Sequence, residues 1–533
     1  MKKILVIQLC RIGDILMTGP LLRGLRREHP SADISLMVMD TFAATPLPSH
    51  LYDHLIAFPI GSLAVTLANK AAGWETALDD LRAFMKGLGS APFDLVVNLT
   101  HTDMSGLITS LVPARKRVGL VARADRRKGI DSGWMTYLRS TARSREYTCF
   151  HLVDLFSWTA GIGRDADGLE IAIAPEDQAW ADGYLAERGL TGKPIIAMQL
   201  GASQESKQWP VERFAALADA LDPSLGEILL VGSPHEQPLG DAFLTNVTRR
   251  VISSIGDSSL GQLAALLQRS RVLITNDTGP MHVATAVGTR VIDMSSGRVC
   301  AQETGPYGVG NIVVEPQMAC YPCSLDSECH HFACRTAVSP ADAAAVVRYV
   351  LGDGPVPTLT GARVLQARRV GATGRIEFQP IGSEPTIKDA VRTAAAAVWE
   401  ASLHAPHRAQ AEWLDDGDGD VSAVGGARTE RDELVQVLEA VASEAEATAA
   451  RARLLPKASP AKLQTLATEV HASLEKLLAI GESTRATHTL VTHLRHEIDS
   501  IAAADLTAMA RAQNAAYTAT AARARQLAAR LTG

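Results

Sequence analysis

Short, nearly continuous apolar runs alternate with stretches of helical spacing through the first two-thirds of this chain. Runs at residues 4–9, 34–39, 54–58 and 95–99 predict strands, with a helix over 74–88 before the last of them. A helix over 175–190 leads to a second series, at 195–200, 227–231, 251–253, 272–275, 291–294 and 312–314. Strands that are apolar on both faces and separated by helices belong in parallel sheets covered on both sides. The fold class is therefore α/β, built as two Rossmann-like domains. Ligands of such sheets bind outside the carboxyl ends of the strands, so the residues that follow each run are where chemistry is sought.

Three of those strand ends carry suggestive residues. The first run is followed by Arg11-Ile12-Gly13-Asp14, then by Leu21, Leu22 and Leu25 at helical spacing. Asp14 there reads as a helix cap, an ion-pair partner of Arg11, or a general base. The run at 195–200 ends in Gly201-Ala202-Ser203, with Lys207 and Trp209-Pro210 beyond it. The run at 272–275 ends in Asn276-Asp277-Thr278-Gly279-Pro280-Met281-His282. A helix opening at this last point leaves unpaired backbone N–H groups, and its dipole favours an anion. Thr278 offers a hydroxyl, Gly279 allows close approach of backbone, and Pro280 suits a first helical turn. Lys207 adds a point charge at the same strand-end edge, which together suggests a diphosphate cradle.

In this order and spacing, Arg11 to Asp14, Lys207 to Pro210 and Asn276 to His282 resemble glycosyltransferase family nine, the ADP-heptose:lipopolysaccharide heptosyltransferases. Leu229-Leu230-Val231-Gly232-Ser233-Pro234-His235-Glu236 adds a fourth matching piece. The likeness covers roughly residues 1–350 and stops there. It implies the GT-B arrangement, two Rossmann-like domains facing a cleft that closes on a nucleotide-sugar. It also implies an inverting displacement with Asp14 as base, worth about 10²–10⁴-fold. Lys207, Ser203, Thr278 and Gly279 would then stabilise the departing diphosphate. Asp277 would orient the donor sugar or its loop, and Glu236 would accept hydrogen bonds from the adenosine ribose. His282 reads equally as a donor contact or a helix-packing histidine. The chemistry expected is metal-independent, with no cofactor required. The expected product is a heptose, or a related sugar, joined to a hydroxyl of a lipopolysaccharide core or similar glycan.

Composition narrows the setting. The 533 residues carry a net charge of −6, which argues against nucleic-acid binding. Apolar runs fall short of a spanning helix, and Arg11 cuts the first one too early for a signal peptide. Of the seven cysteines three, Cys10, Cys149 and Cys300, are well scattered, which suits a reducing compartment, so a cytoplasmic protein is expected, peripheral at most to the inner membrane. Arg115-Lys116-Arg117 and Arg123, Arg126, Arg127 and Lys128 form a basic stretch. A solvated basic loop is its first reading; as a docking site, Arg11, Arg115 and Arg117 are the candidate contacts to an anionic lipid-linked acceptor or membrane surface.

Two features lie outside that reading. Cys320, Cys323, Cys329 and Cys334 have the spacing of a closed knuckle for structural zinc or iron, with free thiols and then disulfides as alternatives. Similar knuckles hold iron in some members of the resembled family, and His330 and His331 are substitute ligands. The tail differs in pattern. Domains are expected at 1–175 (acceptor side), 176–354 (nucleotide-sugar side, with the knuckle) and 355–412 (hairpin and linking helix). An acidic Gly-rich linker follows at 413–426, then amphipathic helices over 427–533, as a bundle or coiled coil for self-association or a partner. The linker resembles a calcium loop, but Val421 and Ala427 replace the needed glycine and glutamate. Two other functions stay open: a protein O-heptosyltransferase whose tail recruits a polypeptide, and a non-catalytic nucleotide-sugar binder.

Overall fold

The computed structural model describes residues 2–68, 73–89, 91–123, 128–130, 132–163, 168–324, 328–371, 373–404, 428–501 and 505–532. The acidic linker, with its calcium-like stretch, and Arg126 and Arg127 lie outside the described residues. The chain divides into two compact units. The first comprises Met1–Asp94, Phe150–Cys323 and Ser327–Glu384, and the second is chiefly Leu95–Cys149 with Pro385–Gly533.

In the first unit, β1 (Lys3–Ile7), β2 (Asp33–Met39) and β3 (His54–Phe58) lie parallel in the order β3-β2-β1. Ile4 to Ile7 are fully buried, as expected of a strand with helices on both faces. β4 (Phe93–Asn98) starts in this unit, where Asp94 accepts the Lys3 amide at 2.9 Å.

The second sheet lies wholly in the first unit. Its strands are β7 (Ile195–Met198), β8 (Glu227–Leu230), β9 (Val251–Ser253), β10 (Val272–Thr275), β11 (Arg290–Met294), β12 (Ile312–Pro316), β13 (Ala362–Val370) and β14 (Arg375–Ile381). Their order is β14-β13-β12-β11-β10-β7-β8-β9. The six strands β7 to β12 run parallel, and β13 and β14 add an antiparallel edge. The hairpin expected to open a separate segment thus continues this sheet. Ile196, Met198, Ile228, Leu230, Ile274, Ile292 and Val314 form its core, against Phe214 and Leu217 of the helix Val211–Ala220. Because β10, β7 and β8 are parallel neighbours, their carboxyl ends open side by side.

The second unit holds the end of β4, β5 (Ala114–Ala122) and β6 (Lys128–Ile130). The basic stretch read as a loop is therefore partly strand: its first half is charged and only Val118 to Leu120 are buried, so no apolar run marks where it starts. The helices Arg428–Leu454, Pro460–Glu482, Arg485–Asp499 and Leu506–Thr532 form the tail. The Ala-rich stretch from about Thr487 to the end reads as one helix in the sequence and is two. The tail shares a core with the rest of its unit around Trp399, whose ring lies 5.2 Å from Tyr137 and 4.8 Å from His493. Ser144 and Thr489 join by hydroxyls at 2.7 Å, and Arg485 pairs with Glu146 at 2.8 Å. No described helix is long and apolar enough to cross a membrane.

Candidate active site

Three loops at the open ends of β7, β8 and β10 build one wall. Asn276, fully buried, is the pin. Its side-chain amide donates to the carbonyls of Leu200 (2.9 Å) and Gly201 (3.0 Å), and its oxygen accepts the Trp209 amide at 2.9 Å. The loop after β10 is thereby locked to the loop after β7. Lys207, at the end of that second loop, reaches Asp277 with its ammonium 2.8 Å from Oδ2, both side chains largely shielded.

The helix Gly279–Ala286 starts beside this pair. Thr278 is its N-cap in extended backbone, and its hydroxyl makes no capping bond. It turns instead to Gln199 Oε1 at 3.0 Å, so what Thr278 presents at the helix start is its backbone amide. Ser203 is exposed on its loop. Glu236 closes the third loop: Oε2 accepts the Ser233 amide at 2.7 Å and its hydroxyl at 2.9 Å, while Oε1 accepts the Gln199 amide. A β-carbon on Gly201 would stand 2.1 Å from Glu236 Oε1, so any side chain there would displace that carboxylate.

The short helix Ile12–Met17, which follows β1, packs against Gly279–Ala286. A β-carbon on Gly13 would meet His282 Cδ2 at 2.5 Å, and one on Gly279 would touch Ile12 at 3.9 Å. Asp14 does cap its helix, accepting the Arg11 amide at 3.2 Å. Yet burial outweighs that bond and the Arg11 charge, and together with repulsion from Asp277 it pushes the carboxyl up to about 6. His282 is buried and neutral: desolvation holds its imidazole down to about 4, and Nδ1 has no hydrogen-bond partner. Asp14, Lys207, Asp277, Thr278, Gly279 and His282 thus come together, with Glu236 bound in through Gln199. Reasoning from sequence missed Asn276 and Gln199 as the residues that hold this wall. The only available signal was that each is a polar residue directly after a buried strand.

The acceptor candidates behave differently. Arg11 is exposed beside Asp14. Arg115 and Arg117 belong to β5 in the second unit. Arg115 is exposed, whereas Arg117 donates to the carbonyls of Thr109, Val112 and Ala114 and so caps the end of the helix Asp103–Leu111.

The cysteines expected to close on an ion are not so arranged. Among the described residues no group of three or more His, Cys, Asp or Glu side chains could hold a metal. Cys334 Sγ accepts the Gly297 amide and Cys329 Sγ the Phe332 amide, both at 3.4 Å, while Cys320 is exposed. The segment braces the lysine loop: Arg335 pairs with Glu205 at 2.8 Å and donates to the Gln208 carbonyl. A cavity of about 430 Å³ between the two is lined by Gln204, Ser206, Arg298, Cys323, Cys329 and Cys334.

Residues 81–331 match the model of glycosyltransferase family 9 (heptosyltransferase). Over that span, just under half of its length, the chain is similar to family 9 glycosyltransferases. Lipopolysaccharide heptosyltransferase 3 of Escherichia coli K12 is 24% identical over 291 residues, 53% of this chain and 79% of that protein. Lipopolysaccharide core heptosyltransferase OpsX of Haemophilus influenzae is 21% identical over 300 residues, 55% of this chain and 78% of that protein. Among solved structures, a family 9 glycosyl transferase from Veillonella parvula shares the fold, with a TM-score of 0.50 and 21% identity. That alignment covers 66% of this chain and 98% of the other. The protein is a transferase with a GT-B fold, and a helical C-terminal module lies beyond the matched span. Asp14 precedes the matched span, so its place in the site rests on the geometry above.

Proposed function

We propose that this protein transfers heptose from ADP-heptose to a hydroxyl of a lipopolysaccharide core sugar by a single inverting displacement. The sugar and the acceptor class are those in the names of the relatives, and the ADP half of the donor is what the family resemblance of the strand-end motifs implies. One observation carries the mechanism: Asp14, a carboxyl poised near 6, stands within electrostatic reach of the Lys207–Asp277 pair.

Each group has a task. The first-turn amides at Thr278 and Gly279 and the Lys207 ammonium receive the charge that develops on the departing diphosphate, a fixed array that needs no reorganisation. Asp277 holds Lys207 in place and keeps that ammonium from folding back to solvent. Asp14 removes the proton from the acceptor hydroxyl as it attacks the anomeric carbon. A base whose pKa lies near 6 is ionised at neutral pH yet still has substantial proton affinity, the compromise general-base catalysis favours. His282, uncharged, packs beneath the helix start and places no competing positive charge there. Glu236 meets the ribose hydroxyls with the acceptor capacity its carboxylate retains.

The test is a panel of nucleotide-sugars offered with a lipopolysaccharide core acceptor. ADP-heptose alone should support transfer, and Asp14→Ala should reduce the rate about 10²–10⁴-fold without loss of ADP binding. Near-parental transfer by Asp14→Ala would remove Asp14 from the mechanism.

A further inference from the structure

Gln199 follows β7, is almost fully buried, and makes every polar contact its side chain can reach to groups of the donor wall. Its amide nitrogen donates to Glu236 Oε1. Its oxygen accepts the Thr275 hydroxyl at 2.8 Å and the Thr278 hydroxyl at 3.0 Å. Both hydroxyls also lie within reach of the Asn276 carbonyl, at 2.9 Å and 3.2 Å, so it is Glu236 that sets the amide: a carboxylate oxygen accepts only from the nitrogen, which leaves the Gln199 oxygen facing the threonines. A buried amide fixed in this sense has one orientation, and it ties three loops of separate strands together.

We propose that Gln199 is a positioning residue for the nucleotide. It sets the distance between the Glu236 carboxylate, which reads the ribose hydroxyls, and the Thr278–Gly279 amides, which receive the diphosphate. The inference rests on the donor reading above and extends it. An ADP moiety is a rigid enough ligand that ribose and diphosphate must be met at one fixed separation. Gln199 supplies that spacing without touching the ligand. It also holds the Thr278 hydroxyl inward, so the phosphate meets the amide and the bulk of the side chain stays clear. The hydrogen bond to an ionised carboxylate is the strong one of the three, and its loss leaves a shielded charge short of a donor.

The experiment uses the full-length protein with ADP as probe in calorimetry, followed by steady-state kinetics. Gln199→Met keeps the volume and removes the hydrogen bonds. It should weaken ADP binding about 10–100-fold and raise the donor KM by a similar factor, with acceptor KM unchanged. Gln199→Glu sets two carboxylates face to face and should lose ADP affinity too. Adding Glu236→Gln to it reverses the donor and acceptor of the same bond and should recover part of the loss. A third readout is an ADP analogue lacking a ribose hydroxyl: the parent should discriminate against it, Gln199→Met much less. Parental ADP affinity in Gln199→Met, or equal losses for donor and acceptor, would overturn the assignment. So would a Gln199→Glu, Glu236→Gln double variant no better than Gln199→Glu alone. If the parent itself binds no ADP, the donor reading falls first and this inference with it, a result distinguishable from failure of Gln199 alone.

Discussion

Gly13 lies so close to His282 that a β-carbon built on it would stand 2.5 Å from the imidazole Cδ2 and 3.0 Å from Nε2. The helix that carries the candidate base and the helix that opens the candidate diphosphate site therefore touch through the smallest residue available. His282 is buried, and so is Gly13, which leaves the ring little room to swing away.

Gly13→Ala is expected to push the two helices apart or force the ring off its rotamer, an overpacking cost of about 1–3 kcal/mol. Thermal unfolding would register that cost. Turnover should drop at least about tenfold, because Asp14 moves with its helix relative to Lys207. An alanine variant with parental rate and stability would show the contact to be loose.

The Asp14 carboxyl gives activity a defined pH limb. Below about 6 it is protonated and cannot accept a proton, so kcat/KM should climb through that pH and level off above it. Its effect on stability has the opposite sense. The folded carboxyl keeps its proton up to about 6, the unfolded one only to about 3.8, so its contribution is full below 3.8 and fades as pH rises through 6. Asp14→Asn, which retains an acceptor for the Arg11 amide, should then stabilise the protein at pH 7 by on the order of 1–3 kcal/mol while abolishing turnover. Chemical denaturation at pH 7 and pH 4 checks this: the gain should shrink at the lower pH.

Asp277 contributes to that raised value by repulsion. Asp277→Asn should shift the acid limb of kcat/KM to lower pH and leave the Lys207 ammonium without its 2.8 Å partner. A rate profile whose midpoint stays near 6 would place Asp277 too far away to matter.

In the second unit, a β-carbon on Gly481 would stand 2.3 Å and 2.4 Å from the two γ-methyls of Val491. Gly481→Ala should destabilise the helical module by about 1–3 kcal/mol in thermal unfolding, with ADP affinity unchanged. A coincident loss of ADP binding would mean that the tail reaches the donor wall.

How much of this was legible in the residues differs from place to place. The strand at Ile195–Met198 declares itself by its unbroken apolar run, since burial on both faces demands one, and the helix at Pro175–Glu187 by the proline in its first turn. Gly481 shows the opposite case. At the end of an apolar pattern it reads as a helix stop, whereas the helix runs through it to Glu482 and the missing side chain serves a close approach to Val491. β5 was hidden because its first half is charged, and an edge of charge looks the same in a loop and in a strand.

The sequence by itself determined the two series of parallel strands, the loops that end them, and the identities of Asp14, Lys207, Asp277 and Thr278. Those follow from local rules: the period of burial, the turn chemistry, and the need of a helix start for an anion. Only the tertiary structure decided that Asp14 is shielded enough to hold its proton near 6 and that Gln199 and Asn276 lock the donor wall. It also decided that Arg335 braces the lysine loop and that the tail packs around Trp399. These depend on which groups, distant in the chain, exclude water from one another, and no local pattern encodes that.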